Sequence, residues 1–278
     1  MAIVTFWSPE KDKVNQTASI IASALEMGIE RNLKILLIDM ACGSDTMQKA
    51  FTKKEKKRSG FFSKPVQEGL NAASGTDALI TAATSNKVAP EIVKSYTVPI
   101  LKDRLDILYG IRSQNRQTFE NALTDFIRVL EIADKYYDIV YVDLEKGELT
   151  ENIKRILKMS DLIVYPFEQQ MDQIEKFETL WGKDELFSPK QKVIPLLTKE
   201  DAFSKYNSDN IARKIGMKPG MCSIIYNTLY MEAMQEGTII NLFFTLNNDE
   251  ASYRNNYFLK TILDLNMLII DRLQQFNF

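Results

Sequence analysis

The sequence predicts an α/β protein with a doubly wound, mostly parallel sheet flanked by helices. Short apolar runs rich in β-branched residues recur along the 278-residue chain. Most of them are continuous rather than alternating, which is typical of strands that are covered on both faces. Segments with apolar residues at helical spacing lie between several of these runs. Alternation of strand and helix without a repeat or a linker predicts a single domain over residues 1–278.

The individual elements follow from these patterns in chain order. Helices are predicted over Thr17–Ile29 and Thr118–Tyr137, where apolar residues recur on one face. Strands are predicted at Ile3–Trp7, Lys34–Asp39, Leu105–Tyr109, Asp138–Asp143, Leu162–Tyr165, Lys192–Leu197 and Ser223–Tyr226.

The C-terminal segment Ser252–Phe278 is predicted to form a helix that packs on the domain. Its polar positions include Asp264 and Asp271 rather than a run of basic residues. Burial against the sheet is therefore favoured over a dimer face or a membrane-surface helix. The predicted apolar stripe consists of Leu259, Ile262, Leu263, Met267, Ile270 and Leu273, and it is widened by Leu265, Leu268 and Ile269.

Composition excludes several classes of site. The chain has no histidine, which excludes histidine-based triads and most zinc or non-haem iron sites. Its two cysteines, Cys42 and Cys222, have no metal-ligand spacing, and a reduced compartment fits them. No signal peptide and no apolar run approaching ~20 residues is present, so we expect a cytoplasmic protein.

Net charge is −2, so contact with an anionic surface requires a local patch. Lys49–Lys64 is such a patch, with seven basic residues and one acid. It is interpreted either as a solvated helix end with a loop or as a contact for DNA or anionic lipid. In the second case Phe61 and Phe62 would be the anchor.

The first strand leads through the turn Ser8–Gln16 into a helix, the arrangement of a phosphate-binding loop. Such loops need glycines, a lysine and a Ser/Thr hydroxyl for Mg²⁺. This chain has no glycine before Gly28. Asn15 is the loop residue that best tolerates a left-handed backbone.

The first forty-five residues resemble the ParA/MinD family of deviant Walker A ATPases, within the P-loop NTPase fold. Set beneath the family's loop K-G-G-V-G-K-T-T, three positions match: Lys11, the lysine that in the family reaches the partner's nucleotide, Val14, and Thr17, the Mg²⁺-binding threonine. Asp12, Lys13 and Asn15 replace the glycines, and Gln16 replaces the P-loop lysine.

Later motifs follow in the family's order. Lys34–Asp39 resembles K-V-L-L-I-D-x-D, with Asp39 as the first acid and Ala41 at the second. Tyr137–Gly147 resembles the Walker B and switch II segment, in which Asp143 and Gly147 match while Glu145 and Lys146 replace two prolines. Ser160–Pro166 is similar to the strand that follows.

The remaining segments resemble the TadZ/CpaE-like group within this family. The matching C-terminal segments are Asn210–Gly216, Ile224–Asn227 and Glu232–Gly237. The matching middle segments are Gly69–Leu70, Pro90–Ile92 and Leu105–Gly110.

The resemblance implies an ATP site with Mg²⁺ held by Thr17, Asp39 and Asp143. Without the resemblance, these acids would cap turns, Thr17 would be an N-cap and Lys11 a solvated loop lysine. Loss of the lysine and of the second acid predicts weak or absent hydrolysis, while ATP binding stays open. The implied nucleotide-binding residues are Lys11, Lys13, Asn15, Gln16, Thr17, Ala18, Asp39, Asp143 and Gly147.

Two functions are compatible with this pattern. The first is a dimerising localisation or scaffold factor for a membrane-associated machine, a pilus, secretion or conjugation apparatus, with recruitment to the inner face of the membrane. The alternative is an ATP-dependent partitioning or positioning ATPase that switches through a nucleotide-sandwich homodimer. DNA binding through Lys49–Lys64 is a third hypothesis.

Overall fold

A computed structural model places eight strands in one sheet. It describes residues 1–11, 14–53, 72–84, 89–111, 115–183, 185–187, 189–217, 221–248 and 252–275. The strand order is β3-β4-β2-β5-β1-β6-β7-β8, and all neighbours are parallel except β3 and β4. The strands are β1 Ala2–Phe6, β2 Ile35–Met40, β3 Val98–Leu101, β4 Leu105–Leu108, β5 Ile139–Leu144, β6 Leu162–Phe167, β7 Val193–Glu200 and β8 Cys222–Ile225.

Helices cover both faces of the sheet. On one face α1, α9 and α10 pack on the strands, and on the other face α3 to α6 do so. None of the helices in the described part of the chain combines the length and the apolarity that crossing a membrane requires. The helices are α1 Gln16–Glu30, α2 Thr46–Phe51, α3 Ala72–Thr84, α4 Arg116–Ala133, α5 Glu151–Met159, α6 Met171–Lys183, α7 Ser208–Lys214, α8 Thr228–Glu236, α9 Ile239–Leu246 and α10 Tyr253–Gln275.

The doubly wound sheet predicted from the sequence is confirmed. Each of the seven predicted strands is present, and the central ones are buried along their whole length. The missed strand is β3, which lies antiparallel at the edge of the sheet and contains Pro99. A short edge strand with a proline has no continuous buried run, so periodicity does not reveal it.

The C-terminal helix packs on the sheet as predicted, but its buried face is rotated from the predicted stripe. Met267 is 48% exposed, so its assignment to the buried stripe was wrong. Leu263 and Ile270 are only partly buried. The core-facing side chains recur at i, i+4, i+7 and i+11, which is one straight helix face. They are Phe258, Ile262, Leu265, Ile269 and Leu273.

A buried polar cluster joins α10 to α1 and to β5. The Ser23 hydroxyl donates to Asn266 Oδ1 at 2.6 Å and lies 3.2 Å from the Tyr141 hydroxyl. The Asn266 amide donates back to the Ser23 carbonyl at 3.1 Å. Each of these buried polar groups has a hydrogen-bond partner within the cluster, because water cannot reach them. The cluster therefore fixes the position of α10.

Asn266→Ala should therefore lower the free energy of unfolding by about 1–3 kcal/mol, because it removes the two buried hydrogen bonds between Asn266 and Ser23. Urea denaturation of the purified protein measures this. Met267→Ala, at the adjacent exposed position, is the matched control and should change stability by less than about 0.5 kcal/mol. Equal effects of the two substitutions would contradict the role of the cluster.

Candidate functional site

The site lies at the carboxyl ends of the three central strands. Because β5 lies between β1 and β2, the chain segments that leave these strands meet at one edge. Asp39 of β2 and Asp143 of β5 are opposite each other in the ladder. Both side chains are buried, with exposed fractions of 4% and 1%. The two acids implied by the motifs are thus neighbours in space.

The loop after β1 reaches α1 without a glycine. Asn15 has a φ of 45° and takes the left-handed conformation that its side chain tolerates. Asn15 is the N-cap residue, and helix α1 begins at Gln16. Thr17 therefore lies in the first turn, so its interpretation as an N-cap was wrong. The Asn15 side chain makes no capping hydrogen bond to this turn, so it leaves the backbone N–H groups at the start of α1 to other partners.

Gln16 connects α1 to the end of β5. Its Nε2 donates to Asp143 Oδ1 at 2.8 Å and to the Leu144 carbonyl at 2.7 Å. A glutamine amide has two N–H donors, and both are used here. Gln16 is 1% exposed, so the bonds are shielded from water. The side chain at the position of the family's P-loop lysine is therefore neutral and fully engaged as a donor.

Asp143 is the centre of this network. Burial raises the pKa of its carboxyl group, while hydrogen bonding to Thr17 and Gln16 and the nearby Lys146 charge lower it. Asp143 Oδ2 and Gln16 Oε1 are buried and have no partner of good hydrogen-bond geometry among the described residues. Buried oxygens of this kind are suited to accept a cation or a water.

More carboxylates surround Asp39 than surround Asp143. Burial and the neighbouring Asp143 carboxylate raise the pKa of Asp39 to about 8, and Glu145 and Asp45 add to the effect. One hydrogen bond, from the Ala41 N–H at 3.1 Å, opposes it. Burial and the neighbouring carboxylate therefore favour the protonated form of Asp39, and a Mg²⁺ ion held there would have to displace that proton.

Lys11 and Gly147 are in contact. Gly147 has a φ of 99°, and a Cβ atom there would lie 2.7 Å from Lys11 Cγ. The Gly147 N–H also donates to the Ser8 carbonyl at 2.9 Å. The absence of a side chain at Gly147 lets Lys11 lie across the loop that follows β5. Lys13 lies outside the described residues.

A further carboxylate was not predicted to belong to the site. Glu145 accepts from the Cys42 N–H at 2.7 Å and from Arg116 at 3.0 Å. Arg116 also pairs with Glu120 at 3.1 Å. Glu145 thus links the loops after β2 and β5. The replacement of a proline at this position was the sequence signal that could have identified it.

A cavity of about 540 Å³ opens between the start of α1, the loop after β2, and helices α2 and α8. That volume lies within the range of small-molecule sites. Ala18, at the start of α1, and Lys146 line it. So does Lys49, which pairs with Asp45 at 2.6 Å. Of the basic segment Lys49–Lys64, residues 54–64 lie outside the described residues.

The donor set fits phosphate binding only in part. The N-terminus of α1 supplies backbone donors and a partial positive charge. Gln16 supplies neither charge nor a free N–H, and burial favours the uncharged form of Asp39. Within the described ranges no group of three metal-ligating His, Cys, Asp or Glu side chains is assembled. The residues therefore suit an anion at the helix start better than the transfer of a terminal phosphate.

Neither the protein-family models nor the curated proteins include a match to this sequence. Solved structures with the same fold do exist. A ParA family ATPase from Chlorobium tepidum has 15% identity and a TM-score of 0.67, with 96% of this chain and 98% of that chain covered. A Borrelia burgdorferi protein assigned to plasmid partition, bound to AMPPNP, has 16% identity and a TM-score of 0.64. That match covers 98% of this chain and 99% of the other.

A third structure is the septum site-determining protein MinD from Pyrococcus horikoshii, complexed with Mg-ADP. It has 12% identity and a TM-score of 0.64, and the match covers 98% of this chain and 99% of that chain. All three matches extend over nearly the whole of both chains. The architecture is therefore that of the ParA/MinD type of P-loop NTPase.

Asp39→Asn tests the protonation of the site. Between about pH 4 and pH 8 the folded protein holds a proton on Asp39 that the unfolded chain releases. This lowers wild-type stability as pH rises, by up to about 1.4 kcal/mol per pH unit. Asparagine does not titrate, so the variant should gain stability relative to wild type, by roughly 2 kcal/mol or more between pH 5 and pH 8.

Urea denaturation of both proteins across this pH range measures the difference, and Asp271→Asn on the exposed side of α10 is the matched control. A difference between Asp39→Asn and wild type that stays constant with pH would contradict a protonated Asp39.

Proposed function

We propose that this protein is a dimerising localisation or scaffold factor of the ParA/MinD type, with weak or absent ATP hydrolysis. The observation that carries the proposal is the Gln16 side chain, whose two N–H donors are bound to Asp143 and to the Leu144 carbonyl. A phosphoryl-transfer site needs positive charge where the terminal phosphate develops charge in the transition state. At this position the chain supplies a neutral group whose donors are already used.

A second observation supports the same proposal. Ala41 stands where the resemblance places an acid that helps position the attacking water, and alanine has no group for this role. Each loss of this kind commonly costs ~10²-fold or more in rate. The cavity that remains is bordered by Asp45 and Glu145, whose carboxylates oppose an anionic substrate.

ATP binding without turnover stays compatible with the geometry. The cavity beside α1 has room for a small molecule, and the uncapped first turn offers backbone N–H groups. Structures of the same fold contain AMPPNP and Mg-ADP. These observations are the support for the alternative function, an ATP-dependent partitioning or positioning switch working as a nucleotide-sandwich homodimer. Such a switch would hold Mg²⁺ through Thr17, Asp39 and Asp143.

The TadZ/CpaE-like motifs are the only support for the kind of membrane-associated machine that this protein would serve. These motifs support a place in a pilus, secretion or conjugation apparatus, with the protein cytoplasmic and recruited to the inner face of the membrane. We also propose that Lys49–Lys64 contacts DNA or anionic lipid. The only support for this contact is the positive charge of the segment.

Phosphate release in the presence of Mg²⁺ and ATP tests the hydrolysis part. We expect wild type and Lys11→Ala to release phosphate at the same rate as a blank without protein. Lys11 contacts Gly147 in its own chain, so its removal should leave the fold intact, which circular dichroism verifies. Turnover above the blank that Lys11→Ala abolishes would overturn the scaffold proposal in favour of the switch.

Gln16→Lys tests the binding part. A lysine would add a positive charge beside the Asp143 carboxylate and toward the phosphates. We expect this variant to bind a fluorescent ATP analogue at least about tenfold more tightly than wild type. Gln16→Met, of similar length without charge or donors, is the matched control and should not gain affinity. Absence of binding by wild type at millimolar ATP would exclude the switch, and equal affinity of the lysine and methionine variants would contradict the assigned position of Gln16.

A further inference from the structure

A second cavity lies at the amino ends of β7 and β8, away from the candidate site. Its volume is about 270 Å³. It forms because β8 begins at Cys222, opposite Leu196, so that Val193–Pro195 of β7 pair with no strand residue on that side within the described part of the chain. Pro195 has no N–H group, and β7 therefore offers no donor there to a further strand. The cavity is a gap built into the sheet by unequal strand lengths.

Apolar side chains from several elements line this gap. Trp181 comes from α6, Met217 follows α7, Met221 precedes β8 and Leu268 belongs to α10. Methionine side chains are flexible and polarisable, so they adapt to ligands of different shape. An aromatic ring and two methionines around one cavity favour an apolar ligand body over a polar one.

Two cations complete the lining. Lys190 Nζ lies 5.1 Å from the centroid of the Trp181 ring, which holds it beside the cavity. Arg272 of α10 is half-buried. Among the ion pairs formed within the described ranges, none includes Lys190 or Arg272.

Among the described residues that line the cavity, none is a carboxylate that would neutralise these charges. Asp264 is a nearby carboxylate: its charge raises the pKa of Cys222, whereas the charge of Arg272 lowers it. Asp264 lies about two turns before Arg272 on α10, where it is exposed and does not line the cavity. The cavity therefore combines an apolar wall with a net positive charge.

We propose that this cavity binds a small amphipathic anion, a carboxylate carried on an apolar body. The cavity volume of about 270 Å³ lies just below the range of about 300–1,000 Å³ typical of sites for drug-sized ligands, so it suits a smaller ligand such as a medium-chain fatty acid or an aromatic acid. The planar guanidinium of Arg272 matches a carboxylate through two parallel hydrogen bonds, and Lys190 adds a second charge. The site does not depend on the proposed nucleotide chemistry at the other edge of the sheet.

Tryptophan fluorescence gives a direct readout, because the chain has two tryptophans and Trp7 is buried in the core. Titration with octanoate should change the emission of Trp181 saturably, with a Kd below about 1 mM. Octanol has a similar body without the charge and should bind at least about tenfold more weakly. Butyrate keeps the charge but loses most of the apolar body, and it should also bind more weakly. Trp181→Phe should remove the response.

Arg272→Gln tests the charge contribution and should weaken octanoate binding at least about tenfold while leaving octanol binding unchanged. Arg254→Gln, on the exposed side of the same helix, is the matched control and should bind octanoate as wild type does. Wild type that shows no saturable response to octanoate, or equal affinity for octanoate and octanol, would overturn the proposal. So would an Arg272→Gln variant that folds and binds octanoate as wild type does.

Discussion

The pair of hydrogen bonds that Gln16 donates to Asp143 and to the Leu144 carbonyl determines the rest of the site. These bonds tie the first residue of α1 to the end of β5 across 127 positions of sequence. They are buried, and removal of either partner would leave a polar group without compensation, which makes the connection costly to break. With α1 held in this way, Asn15 takes the left-handed conformation that a glycine has in other loops of this type.

The same pair explains the protonation state of the neighbouring acids. A lysine at position 16 would place a positive charge beside Asp143 and lower the pKa of both nearby carboxyl groups. The neutral amide supplies only hydrogen bonds and adds no charge to this edge. Burial raises the pKa of Asp39 to about 8, and the neighbouring Asp143 carboxylate adds to the effect. A neutral residue at the lysine position leaves this rise without the compensation that a nearby cation would give.

A feature of this structure is predictable from the sequence when its signal lies within one short segment of the chain, and it is not predictable when it depends on residues that are far apart in sequence. The central strands were predictable because burial on both faces gives continuous apolar runs, whereas β3, a short edge strand containing Pro99, has no such run. The proximity of Asp39 and Asp143 was predictable, because both follow apolar runs that become parallel neighbours. The bridge from Glu145 to Cys42 and Arg116 was not, since its members are far apart in sequence and belong to no common pattern. The cavity at the amino edge depends on where β8 begins relative to β7, and that register is a tertiary property.

Conservation of this architecture is not evidence that the chemistry is conserved. The sheet is held by buried apolar side chains along β1, β2, β5 and β6 and by the helices on both faces, and burial of that area dominates the stability of such a domain. The residues that would act on a phosphate contribute little to this core, and the loop is held by contacts that do not involve a ligand, such as the Thr198 hydroxyl donating to the carbonyl of buried Val14. A chain of this fold can therefore lose the lysine, the glycines and the second acid while it keeps every strand. What such a chain retains is a sheet with helices on both faces and a defined edge at the carboxyl ends of its central strands, which is the part of the architecture that the proposed localisation role would use.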